Sequence, residues 1–81
     1  MNKEWSERKR PARLERRYEF SDYESLRDFM ERAAELSEKQ DLYPDMGFGR
    51  DYLNVTIHAE ESEEITNTQR KFAENLDKLL S

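Results

Sequence analysis

Residues 38–60, EKQDLYPDMGFGRDYLNVTIHAE, hold most of the side chains in this 81-residue chain that could carry chemistry. His58 is the single histidine, and imidazole is the side chain best suited to moving protons near neutral pH. Tyr43, Asp45, Arg50, Asn54 and Glu60 surround it in sequence. With no second histidine and no cysteine, a zinc site lacks ligands. Glu60, Glu61, Glu63 and Glu64 offer oxygens to a hard cation, but their spacing is not that of a calcium loop. They read as a solvated acidic turn, and no metal or cofactor is expected. Gly47 and Gly49 make no phosphate loop, because neither a Gly-Lys-Ser/Thr run nor a G-x-G-x-x-G run is present. They read as positions of turn geometry or close backbone approach. A lone histidine on the polar face of a strand is most simply a solvated or hydrogen-bonded side chain.

The elements that must position these residues follow from periodicity. Leu14, Tyr18 and Phe20 alternate on one face of a half-buried strand, with Arg16 breaking the row. Trp5 begins an earlier strand, and Pro11 sits in the connection. Ser21-Asp22-Tyr23-Glu24 has the capping-box pattern, so a helix follows to about Gln40. Its apolar stripe is Tyr23, Leu26, Phe29, Met30, Ala33 and Leu36. Pro44 closes the helix region, and Met46 to Asp51 suits a strand and a tight turn. From Tyr52 to Ala59 the alternation is clear, with Leu53, Val55, Ile57 and Ala59 pointing one way and Tyr52, Asn54, Thr56 and His58 the other. Thr66-Asn67-Thr68-Gln69 is a second capping box, opening a helix to about Leu80. Phe72, Leu76, Leu79 and Leu80 are its buried stripe, with Ile65 as a staple.

The order is ββαββα. Two helices must cover the apolar face of a four-stranded antiparallel sheet, which is an α+β two-layer sandwich. The length suits one domain over residues 1–81, with residues 1–3 flexible. A core this small benefits from a second subunit, so a homodimer is expected. The absence of cysteine fits a reducing cytosol. The first residues lack the apolar run of a secretory signal, and no stretch reaches transmembrane length, so no membrane partner is expected. Residues 1–17 carry a charge of +4, and the remainder carries −9. Such a basic arm suits an acidic partner or simply a solvated strand face. The acidic body and the lack of an RNA-binding sheet signature make nucleic acid an unfavoured partner.

The order and spacing of these segments resemble the pterin-4a-carbinolamine dehydratase family. The carriers are Trp5, the Arg17-Tyr18-Glu19-Phe20 strand, the helix to Gln40, Pro44-Asp45, the Tyr52–Ala59 strand and the Ile65-Thr66 helix start. The likeness covers residues 4–80 without the family's additional N-terminal helix. That resemblance implies a His-His-Pro segment after the first core helix and a later histidine at the end of the last strand. Here those positions hold Leu42, Tyr43 and Glu60, with His58 two residues before the third. Dehydrating a carbinolamine needs one group to protonate the departing hydroxyl and another to accept the amine proton. Leucine does neither, and a phenol, with a reference pKa of about 10, is a poor base.

Within the family, Arg10-Pro11-Ala12-Arg13-Leu14 and the run from Tyr43 to Ile57 resemble the non-catalytic Rubisco assembly factor branch of α-carboxysomes. The resemblance implies a non-enzymatic chaperone in the bacterial cytoplasm or at the carboxysome, with Rubisco large subunit or an assembly intermediate as partner and homodimers built through the sheet. The alternatives are a divergent dehydratase using His58 and Glu60, or a protein-binding dimerisation cofactor. The candidate partner-binding set in the former active-site region is Tyr43, Asp45, Phe48, Arg50, Asn54, His58 and Glu60. Two readings of Phe48 and Arg50 stand open: interface residues, or a core phenylalanine beside an arginine paired with Asp51 or Asp45.

Overall fold

The computed structural model describes residues 5–9, 12–59 and 64–80. The expectations for residues 1–3, Glu60, Glu61 and Glu63 lie outside them. The elements run β1 (Ser6–Lys9), β2 (Ala12–Glu19), α1 (Tyr23–Gln40), β3 (Asp45–Phe48), β4 (Tyr52–His58) and α2 (Asn67–Lys78). All strand pairings are antiparallel, in the order β1-β2-β4-β3, so β1 and β3 are the edges.

Register explains which side chains meet the helices. Leu14 lies opposite Ile57, Arg16 opposite Val55 and Tyr18 opposite Leu53. Side chains opposite one another share a face, so these six point into one layer. Leu14, Tyr18, Leu53, Val55 and Ile57 are buried there with Leu26, Phe29 and Ala33 of α1 and Phe72, Ala73 and Leu76 of α2. The opposite face carries Arg13, Glu15, Arg17, Asn54, Thr56 and His58 and is bare of helices. It is charge-paired within itself, Glu15 accepting from both Arg13 and Arg8.

Arg16 is the charged break in the apolar row, and it is largely buried there. It reaches under the sheet to Asp77 of α2, Nη1 to Oδ1 at 2.6 Å, with the two side chains only 11% and 14% exposed. The Tyr18 hydroxyl donates to the same oxygen at 2.7 Å. Trp5 Nε1 donates to both carboxylate oxygens at 3.1 Å. One carboxylate thus accepts from three residues spread over β2 and the segment before β1. Burial first, then the bond to Asp77, pushes the Tyr18 phenol far up. The Arg16 guanidinium also stacks 4.1 Å over the Tyr18 ring.

Both helix starts are capped by side chains. Thr66 and Gln69 form the expected capping box, each bonding the other's backbone amide. In α1 the cap falls one residue later than the Ser21 pattern predicts. Asp22 is extended and accepts from the Ser25 amide at 2.8 Å. A carboxylate acceptor makes the stronger, charge-assisted bond, and this bond holds the Asp22 carboxyl below its usual range. Of the expected stripe residues Met30, Leu36 and Leu79 are partly buried, and two are exposed: Tyr23 at the start of α1 and Leu80 beyond the end of α2, each about half exposed. Both sit at helix ends, where the sheet below no longer covers them.

Candidate functional site

The candidate site lies where α1 hands over to β3. Asp41 ends the helix in the left-handed conformation, φ 51° and ψ 47°. Its amide and that of Leu42 both donate to the Ser37 carbonyl, which turns the chain sharply off the helix axis. Leu42 drops into the core as a buried side chain, so Tyr43 is thrown outward, 67% exposed. Pro44 then leads into β3.

At the head of β3, Asp45 lies opposite Thr56, two positions from His58 along β4. The His58 Nε2 and Asp45 Oδ2 atoms are 2.9 Å apart. On the other side of His58, its backbone carbonyl accepts from Gln69 Nε2 at 2.7 Å. Gln69 is buried and also closes the capping box, so one side chain fixes both the start of α2 and the end of β4. Leu42, Tyr43, Pro44, Asp45, His58 and Gln69 wall a shallow hollow of about 180 Å³.

The structure brings together three of the predicted residues, Tyr43, Asp45 and His58. The others stand apart. Asn54 lies mid-strand on the bare face, opposite Arg17 and Gly47. Phe48 ends β3 opposite Leu53, on the helix side of the sheet, and is 57% exposed. The core reading of Phe48 therefore fails. Asp45 is bound to His58, and no ion pair of Arg50 is found among the described residues, so the pairing reading of Arg50 has no support there. Tyr52 lies on the bare face under the Arg17 guanidinium, 4.1 Å away. Its ring sits where a Cβ on Gly49 would be, so Gly49 is a close-approach glycine. Glu60 lies outside the described residues.

Chemically the hollow is poor. One imidazole and one carboxylate can share a proton, but Leu42 is buried hydrocarbon and Tyr43 points to solvent. No group of three or more metal-ligating side chains occurs among the described residues. Nor is any helix among them long and apolar enough to cross a membrane. What the site presents outward is a proline, an exposed phenol and the bonded side chains of Asp45 and His58. Sequence reasoning missed Gln69 as a wall residue; the capping-box pattern shows its role at the helix but not its long-range bond.

This architecture, a sheet of order β1-β2-β4-β3 with two helices on one face, is that of the pterin dehydratase-like proteins. The chain belongs to the pterin 4 alpha carbinolamine dehydratase family, whose pattern matches residues 1–79. A relative from Rubrobacter xylanophilus, provisionally named a pterin-4-alpha-carbinolamine dehydratase, is 30% identical over 66 residues. The match covers 82% of this chain and 62% of that protein's length. A pterin dehydratase-like protein identified as a RuBisCO assembly factor in the α-carboxysome superposes with a TM-score of 0.84 at 33% identity. It covers 93% of this chain and 87% of its own. A transcriptional coactivator/pterin dehydratase from Brucella melitensis superposes at 0.88 with 22% identity, over 98% of this chain and 84% of its own, a likeness of fold.

Proposed function

We propose that this chain is a non-catalytic member of its family that assists Rubisco assembly or accumulation in the bacterial cytoplasm, in connection with α-carboxysome biogenesis. The observation that carries the reading is the composition of the hollow. Buried Leu42 and outward Tyr43 stand at its mouth, and a single imidazole, already engaged by Asp45, stands inside. Two proton-handling groups are required to expel a hydroxyl and accept an amine proton, and this arrangement offers one exposed pair. The likeness to the assembly factor, at 33% identity over most of both chains, supports the same direction.

The frame is suited to holding rather than converting. Tyr43 and Pro44 form a ridge whose side chains lose little freedom on binding, since tyrosine has two rotatable bonds and proline none of consequence. A homodimer, joined through a sheet edge, doubles that ridge and suits a multimeric client by raising effective concentration. No chemical step, cofactor or membrane is assigned.

Co-expression with α-carboxysomal Rubisco subunits in a neutral host tests the reading. Soluble assembled Rubisco rises with the wild-type chain and falls back with Tyr43→Ala. Carbinolamine loss faster than in buffer at high protein concentration, abolished by His58→Ala, would instead establish a divergent dehydratase and overturn it.

A further inference from the structure

The Tyr43-Pro44 ridge has a hollow on each side. The second, of about 450 Å³, opens between α1 and β3 and is walled chiefly by Met30, Ala34, Glu38, Tyr43, Pro44 and Met46. Met30, Ala34 and Glu38 succeed one another at i, i+4 spacing, so they form a single row along α1. Ala34 is the small residue in that row and leaves the space. Met46 lies opposite Val55, which places its side chain on the helix side of β3, over the same space. Phe48, two residues on, continues that face.

Among the described residues five large apolar side chains are exposed, and three of them, Tyr43, Met46 and Phe48, fall within six residues here. Concentrated exposed apolar surface marks an interaction site. Two methionines in the wall make it adaptable to a side chain of imperfect fit. Glu38 is the one charged group in the lining, and no cation lines it. A lone carboxylate at the edge of an apolar hollow complements an apolar group that carries a cation beside it.

We propose that this hollow receives an aliphatic or aromatic anchor side chain of the assembly client, flanked by a lysine or arginine that pairs with Glu38. The proposal rests on the assembly-factor reading and adds what part of the client is held. An apolar anchor seated in a pocket with a charged neighbour is the usual pattern of a binding hot spot.

The test measures affinity of the wild-type chain, Ala34→Trp, Glu38→Gln and Glu38→Lys for α-carboxysomal Rubisco large subunit, with circular dichroism confirming that each variant is folded. Ala34→Trp fills the hollow and weakens binding roughly tenfold or more, equivalent to about 1.4 kcal/mol. Glu38→Lys weakens it by a similar factor, and Glu38→Gln by less. A wild-type complex that both Ala34→Trp and Glu38→Lys leave within twofold overturns this inference while sparing the assembly-factor reading. So does a dimer of this chain that Ala34→Trp dissolves, since the occupant would then be a second copy. No complex with the wild-type chain overturns both.

Discussion

Replacing Asp77 by alanine tests the buried polar centre. In the wild-type chain its carboxylate accepts from Arg16, Tyr18 and Trp5 at 2.6 to 3.1 Å. Alanine removes every acceptor and leaves the Arg16 guanidinium, 11% exposed, inside the sheet-helix interface. Breaking a buried pair by deleting one partner costs about 3–5 kcal/mol, mostly because the surviving charge is stranded. The stranding is severe here, because Arg16 Nε is already buried without a hydrogen-bond partner. A chain of this length has a folding free energy of roughly 4–12 kcal/mol, so the loss removes at least about a quarter of it and, at the lower end of that range, all of it. The melting temperature falls by roughly 15–30 °C on the entropy scale of small domains. Urea unfolding followed by far-ultraviolet circular dichroism gives the change directly. The charge-free pair Arg16→Met with Asp77→Leu is the control. It lacks any stranded charge and is more stable than Asp77→Ala by about 2 kcal/mol, although Trp5 and Tyr18 still lose an acceptor. A loss below about 1 kcal/mol for Asp77→Ala, the value of a solvated surface pair, would falsify this account.

Three further outcomes can be measured alongside it. Thr66→Ala opens the capping box of α2 and costs about 0.5–2 kcal/mol in urea unfolding, whereas Thr66→Ser is near neutral. Gly49→Ala collides with the Tyr52 ring and costs about 1 kcal/mol, and most of that cost disappears in a Tyr52→Ala background; an unchanged cost there refutes the collision. The Glu7 carboxyl is held below its ordinary range, first by the hydrogen bond from Arg70 and then by the charge of that guanidinium. A depressed carboxyl contributes stability that is present above its unfolded pKa and is lost as pH falls through the folded value. Glu7→Gln therefore flattens the loss of stability on acidification below about pH 4.5, and an unchanged acid limb rejects this coupling.

The order of elements was legible because each carries a local signal. The alternation from Tyr52 to Ala59 gives β4 and its buried face, and Thr66 with Gln69 gives the start of α2 through bonds spanning three residues. The start of α1 was offset by one because Ser21 and Asp22 both suit an N-cap, and only geometry chooses the carboxylate. Arg16 looked like a defect in a strand because its counter-ion lies 61 residues away. Periodicity carries no information at that separation. The site was partly legible for the same reason. Tyr43, Asp45 and His58 share a hollow because β3 and β4 form a tight hairpin. Phe48 and Arg50 were near in sequence but fall at the far end of that hairpin, Phe48 on the other face, and Asn54 shares the face of His58 but stands four residues along the strand from it.

The bond from Trp5 to Asp77 spans 72 residues and joins the two extremities of the described chain. Closing so long a loop has an entropic cost that grows slowly with length, so its formation belongs late in folding. Once made, it forbids independent fraying. Lifting the β1 end or peeling the last turn of α2 breaks the same carboxylate cluster and bares the same guanidinium. Opening at β1 or at late α2 then approaches the free energy of global unfolding, so amides of the two exchange hydrogen together.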